Sequence, residues 1–153
     1  MAIPQRTATT GTFFLTTICY NRRRIFQISR NAELFLATLE HYRRHYLLHA
    51  FVLMPDHVHL ILTPRDKTIS QIMNLIKGGF SHRLASKLPV WQRGFADHQI
   101  RSHEDFTIRQ NYIHQNPVTA RLAERPEAYS YTSANPTIPL DPYRMILRNE
   151  GTL

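Results

Sequence analysis

The chain is short of the groups from which several kinds of protein are built. One of its 153 residues is cysteine, Cys19, so no intramolecular disulfide can form. That excludes a disulfide-stapled secreted scaffold and suits a reducing cytosol. No apolar run approaches the roughly 20 residues of a membrane-spanning helix. The first residues show no basic segment followed by an apolar stretch, so no secretory leader is expected. There is no internal repeat and no low-complexity segment. Acidic side chains are also scarce: 11 Asp and Glu stand against 19 Lys and Arg, a net charge of +8. Such a surplus says little about fold but predisposes a surface towards polyanions, and it equally fits a merely basic soluble protein. What is present is an ordinary globular balance, 42% hydrophobic and 20% charged, enough for one domain with a real core. The expectation is a soluble, cytoplasmic protein, nucleoid-associated if its polyanion is DNA.

Local pattern gives the order of elements. "TFFLTTICY" at 12–20 is rich in aromatic and β-branched types and reads as a strand, followed by the basic turn "NRRRIF". Asn31 is a candidate N-cap for a helix running to about Tyr46, with Phe35, Leu39, Tyr42 and Tyr46 on one stripe. Residues 47–54 and 57–63 read as two strands joined by a turn at Pro55-Asp56. From Ile69 the period changes to helical, through Ile72, Met73, Ile76, Phe80 and Leu84. Gly78-Gly79 inside that helix weakens it, or marks a close backbone approach. Residues 96–101 are a candidate fourth strand. Ser102-His103-Glu104-Asp105 matches a capping box, opening a third helix that should end near Asn116, because Pro117 disfavours continuation. The first six elements form the ferredoxin-like β-α-β-β-α-β order: an α+β antiparallel sheet with helices on one face, to which a third helix is added. Residues 1–120 are read as this domain and 121–153 as an irregular, proline-bearing tail packed on it.

Chemistry first shows in "MPDHVHLIL" at 54–62. Side chains alternate along a strand, so Val58, Leu60 and Leu62 share an aliphatic face while His57 and His59 lie together on the other. Two imidazoles one strand repeat apart can offer neutral nitrogens to one divalent ion, or make two separate hydrogen bonds. On the third helix, Tyr112 and Asn116 are four residues apart and project from one side about a turn from each other. Asn116 supplies a carbonyl oxygen, a ligand type suited to Mg2+ and Mn2+. A helical tyrosine is more commonly a boundary residue of the core, but Phe106 and Ile113 fit the buried stripe better. His114 falls about 200° round the helix from Tyr112 and points elsewhere. Asp56 can orient His57 or simply make the turn.

Three blocks, "FVLMPDHVHLIL" at 51–62, "WQRGFADHQIRSHEDF" at 91–106 and "YIHQNPV" at 112–118, with "FFLTTICYNRRRIF" more weakly, resemble the HUH single-tyrosine transposases of the REP-associated tyrosine transposase type. The likeness covers nearly everything up to about residue 134. It implies a ferredoxin-type domain that cuts single-stranded DNA, with His57, His59 and Asn116 as metal ligands for Mg2+ or Mn2+ and Tyr112 as nucleophile. Tyrosine hydroxyls ionise only near pH 10, so the attack needs help at the phosphate, which a metal supplies by polarising an oxygen and aligning the bond. The product implied is a 5′-phosphotyrosine and a free 3′-hydroxyl. The expected partner is single-stranded or hairpin DNA, bound by a monomer or a homodimer. Candidate DNA contacts are Arg22, Arg23, Arg24, Lys77, Trp91, Arg93, Phe95 and His98. Trp91, Arg93 and Phe95 combine stacking surface with charge, though an apolar anchor beside a surface arginine has the same composition. The chain departs from its relatives at Thr119-Ala120-Arg121, where they tend to carry a "KAG"-like segment, and at Tyr131-Thr132-Ser133, where they tend to carry a tryptophan before paired serines. Two rival readings are a metal-dependent hydrolase using the H-x-H pair, whose common barrel form needs about 250 residues, and a non-catalytic nucleic-acid-binding module.

Overall fold

A computed structural model describes residues 5–144. The chain runs β1 (Thr12–Ile18), α1 (Ser29–His41), β2 (Tyr46–Met54), β3 (His57–Pro64), α2 (Ile69–Leu84), β4 (Ala96–Ile100) and α3 (His103–Thr119), with short 3-10 turns between. The strands lie in the order β2-β3-β1-β4, every neighbouring pair antiparallel. This is the ferredoxin-like α+β sheet expected.

Alternation decides which face each strand buries. Phe13, Leu15, Phe51, Leu53, Val58, Leu60 and Leu62 point to one side, where they meet Phe35 and Leu39 of α1 and Ile72, Met73, Ile76 and Phe80 of α2. Phe14, Ala50, Val52, Met54 and Ile61 point to the other, where Phe106 and Ile113 of α3 cover them. A fully buried side chain of this size contributes about 1.5–3 kcal/mol. A slip of one residue in β3 would put His57, His59 and Ile61 where Val58, Leu60 and Leu62 now pack, so the register is firmly set.

Several boundaries differ from the periodicity. α1 begins before Asn31, whose side-chain amide instead donates back to Ile25 O (2.9 Å). It stops at His41, and Tyr46 opens β2 rather than extending the helical stripe; its hydroxyl donates to Leu39 O (2.6 Å). α3 continues through Pro117 to Thr119. Proline lacks the N–H that would bond the Ile113 carbonyl, yet the next turn closes regardless, with Ala120 N–H on Asn116 O (3.0 Å) and Leu122 N–H on Pro117 O (2.8 Å). Ser102 caps α3 by accepting from Asp105 N–H (3.0 Å). Within α2, a Cβ on Gly79 would sit 2.7 Å from the Tyr42 ring, so close approach explains that glycine; a Cβ on Gly78 would meet no side chain or neighbouring segment within 4 Å.

The tail lies along the free edge of β2. Leu53 N–H donates to Tyr131 O (2.9 Å), Ser133 N–H to Phe51 O (2.9 Å) and Asp141 N–H to Leu48 O (2.7 Å). Side chains add to this: Ser133 Oγ accepts from Phe51 N–H (3.0 Å), and Asp141 accepts from Leu48 N–H (2.9 Å) and Arg43 (2.7 Å). An open strand edge is a template for unwanted pairing, and this one is covered. Residues 1–4 and 145–153, which belong to the expected domain and tail, lie outside the described residues.

Candidate active site

The site forms where β1, β3 and α3 meet. His59 on β3 stands directly opposite Thr16 on β1, and His57 opposite Ile18. Thr16 Oγ1 and His59 Nδ1 share a hydrogen bond of 2.8 Å. His57 Nδ1 is 2.7 Å from Asp56 Oδ1, so each imidazole is held at Nδ1 and keeps Nε2 for something else. The Asp56 turn is itself braced, its carbonyl accepting from Cys19 N–H (2.9 Å) and that of Pro55 from Phe26 N–H (3.0 Å). The two imidazole rings are 4.8 Å apart.

α3 closes the other wall. Tyr112, Gln115, Asn116 and Thr119 recur at helical spacing and line one cavity of about 470 Å3 with His57, His59, Thr16, Ile18, Arg22 and Ala120. Phe106, Ile113 and Pro117 occupy the buried side of the same helix. The Tyr112 ring is 5.4 Å from that of His59, edge-on, while the residue stays 52% exposed. Phe14 stacks on His59 (5.2 Å) and meets Tyr112 edge-on (5.9 Å), bracing both. Sequence reading missed Thr16, Phe14 and Gln115. The alternation Phe14, Thr16, Ile18 along β1 was the available signal, but it needs the pairing register to reach the histidines.

The electrostatics favour a neutral His59. Burial pushes its pKa down to about 3, with the neighbouring His57 adding to the effect. It is 5% exposed, and its Nε2 is buried without a partner. Such an atom calls for an explanation, of which an ion is one. Burial disfavours ionisation of Asp56, yet the hydrogen bond and charge of His57 and the charge of Arg22 outweigh it and hold the carboxyl below its ordinary pKa. No group of three or more His, Cys, Asp or Glu that could hold a metal occurs among the described residues. The donors the cavity offers are the two imidazoles and the amide oxygens of Gln115 and Asn116, a nitrogen and oxygen set of the kind a divalent ion that keeps several waters can use. Cys19 is no rival nucleophile: burial first, then Asp56, raises its thiol to about 12.

Arg22 reaches the cavity at an energetic cost. Its φ is +54° and that of Asn21 is +52°. Left-handed backbone disfavours a residue such as arginine by about 1–3 kcal/mol. The Arg22–Asp56 ion pair is 3.5 Å long on a side chain 61% exposed, and such pairs contribute only about 0–1 kcal/mol. The pair does not offset the strain.

The profile of the family "Transposase IS200 like" matches residues 10–116, more than half of the chain. The chain belongs to the IS200-like transposases. As a member it is a DNA transposase, an enzyme of strand cleavage and transfer. It is 33% identical over 111 residues, 71% of this chain and 67% of the relative, to the REP-associated tyrosine transposase of Escherichia coli (strain K12). A relative from Haemophilus influenzae (strain ATCC 51907 / DSM 11121 / KW20 / Rd) is 26% identical over 141 residues, 80% of this chain and 79% of its own. Among solved structures, a REP-associated tyrosine transposase bound to a REP hairpin superposes with a TM-score of 0.72 at 25% identity, covering 88% of this chain and 84% of that one. No helix among the described residues is long and apolar enough to cross a membrane.

Other candidate contacts of this transposase sit away from the cavity. Trp91 packs against Phe26, Phe35 and Phe80, and its indole N–H donates to Lys77 O (3.0 Å), so it anchors its loop in the core. Lys77 donates to the carbonyls of Gly94 (2.6 Å) and Gln92 (3.3 Å). Phe95 lies under the Arg6 guanidinium (4.4 Å). His98 pairs with Asp105 (2.8 Å), tying β4 to α3. Arg23 donates to Pro89 O (2.9 Å), while Arg24 and Arg93 are exposed. His114 meets Ser133 Oγ (2.8 Å) on the tail side of α3, away from Tyr112 as its position round the helix required.

Proposed function

We propose that this transposase cuts and rejoins single-stranded or hairpin DNA through a covalent bond to Tyr112, with a divalent metal bound between β3 and α3. The observation that carries the reading is the Tyr112 ring 5.4 Å from His59, with Asn116 one turn along the same cavity wall. In the reaction the Tyr112 hydroxyl oxygen attacks phosphorus and the bond from phosphorus to the 3′ oxygen breaks. The hydroxyl proton ends on that oxygen, leaving a 5′-phosphotyrosine and a 3′-hydroxyl. The phosphotyrosine retains the bond energy, so a second 3′-hydroxyl can reverse the step without water.

His57, His59 and Asn116 would hold Mg2+ or Mn2+, which when bound polarises a nonbridging oxygen and offsets developing charge. This chain's own groups do the positioning. Thr16 and Asp56 hold the two imidazoles by Nδ1, and Phe14 steadies both His59 and Tyr112. The hairpin partner is inferred from the relative bound to one, with the exposed Arg24 and Arg93 available to flanking phosphates. Residues 1–120 form the catalytic unit in this reading and 121–153 a tail on the same domain. On this reading Tyr112 acts in cis, since its ring stands 5.4 Å from the His59 ring of its own chain.

The test is incubation with labelled hairpin-bearing single strands and Mg2+ or Mn2+, followed by a denaturing gel. A protein–DNA adduct forms with the native chain. Tyr112→Phe forms none but still binds DNA, and His57→Ala folds but does not cleave. An adduct from the phenylalanine variant, or unchanged cleavage in chelator, refutes the reading. Mixing the two inactive variants restores no adduct if the tyrosine acts in cis.

A further inference from the structure

Among the described non-glycine residues with positive φ, namely Asn21, Arg22, Ala85 and Arg121, Arg22 alone lines the cavity. It is also the only residue in that lining with a permanent charge; no carboxylate is among them. Its backbone is held from several sides. Cys19 N–H donates to Asp56 O (2.9 Å), Tyr20 N–H to Val90 O (2.9 Å), Arg22 N–H to Cys19 O (2.9 Å) and Arg23 N–H to Tyr20 O (3.1 Å). Strain kept in place by such bracing, and not offset by the long, exposed pair with Asp56, points to use by a ligand. Asp56 also fixes where the guanidinium starts from: Oδ2 lies 3.5 Å from Arg22 Nη1 while Oδ1 holds His57 Nδ1 at 2.7 Å. The arginine is thus tethered, loosely, to the carboxylate that orients one of the site's imidazoles. A planar fork of donors suits a phosphodiester better than any group in the cavity.

We propose that Arg22 binds the scissile phosphodiester, its guanidinium leaving Asp56 to donate hydrogen bonds to a nonbridging oxygen as Tyr112 attacks. Arg22 gives up no proton in this step; it stabilises the negative charge that gathers on the phosphate oxygens. The inference rests on the phosphotyrosine reading above.

The experiment is single-turnover adduct formation on a hairpin-bearing oligonucleotide at saturating Mg2+, using Arg22→Gln and Arg22→Gly beside the native chain and Tyr112→Phe. Loss of a donor to developing charge slows such steps by about 100-fold or more, and that is the expected defect in both arginine variants. Arg22→Gly relieves the left-handed backbone, so its thermal midpoint rises while its rate falls, a combination that a structural role does not produce. A substrate with a methylphosphonate at the cleaved position is uncharged before attack and has one nonbridging oxygen fewer on which charge gathers, so there is less charge to offset and the Arg22→Gln defect shrinks to a small factor. A native rate in Arg22→Gln, a falling midpoint in Arg22→Gly, or an undiminished defect on the methylphosphonate overturns the assignment. An adduct from Tyr112→Phe overturns the phosphotyrosine reading itself, whereas a native rate in Arg22→Gln with Tyr112→Phe inactive overturns only the arginine's role.

Discussion

Replacing Thr16 by valine tests whether the neighbouring strand prepares His59 as a ligand. The two residues face each other across β1 and β3, joined by a 2.8 Å hydrogen bond. With Nδ1–H donating to Thr16 Oγ1, Nε2 keeps the lone pair a metal needs. Valine preserves the shape and removes the oxygen, leaving both nitrogens of a ring only 5% exposed without partners. Stranding a buried polar group costs about 1–3 kcal/mol. For a chain of this length each kcal/mol moves the midpoint by about 2–4 °C, so the metal-free protein should unfold roughly 2–12 °C lower. Losing such an outer partner weakens metal binding by about 10–100-fold. Thermal unfolding in chelator and a Mn2+ titration of adduct formation read the two effects separately. Thr16→Ser, which keeps the hydroxyl, should lie near the native chain in both. A valine variant with native midpoint and native Mn2+ dependence refutes the reasoning.

Arg121 occupies the left-handed position just past α3, φ +59°, where glycine is usual; Arg121→Gly should raise stability by about 1 kcal/mol, measured by denaturant unfolding. In α2, Gly78→Ala fills open space and should stabilise by roughly 1 kcal/mol. Gly79→Ala should fall short of it because its Cβ would press on Tyr42, and the reverse ranking in urea melts would contradict the packing described. Burial opposes ionisation of Asp141, but Leu48 N–H and Arg43 prevail and hold its pKa below the ordinary value. A carboxyl depressed in the folded state stabilises above its unfolded pKa of about 4 and loses that contribution as pH falls through the folded value. The stability gap between the native chain and Asp141→Asn should therefore be full near neutrality and close on acidification below about pH 4, as unfolding curves across that range will show.

What sequence reading reached depended on how local each signal was. The histidine face of β3 was legible because alternation with Val58, Leu60 and Leu62 is a property of consecutive residues. Tyr112 and Asn116 were legible as a pair because helical spacing is equally local. The same logic misled at Tyr46, which satisfies a helical period by coincidence but is drawn into β2 by burial and its bond to Leu39. It also misled at Pro117, where one missing donor did not end a helix anchored by Phe106 and Ile113. The tail carries little periodicity, so its pairing along β2 had no local signature. Trp91 shows the ambiguity of composition, since an aromatic beside an arginine describes a DNA platform and a core anchor alike.

The elements and their order, the buried face of β3, the basic charge and the pairs His57/His59 and Tyr112/Asn116 could all be read along the chain. They are legible there because period, capping and composition act over a few residues. That these pairs meet follows from the packing, because β1 lies between β3 and β4 and α3 crosses the opposite face from α1 and α2. That arrangement brings Thr16 to His59, Tyr112 to the imidazoles and, through a strained turn pinned by Asp56 and Val90, one arginine of three to the cavity. Register and packing across distant segments set these contacts, and no window along the chain contains them.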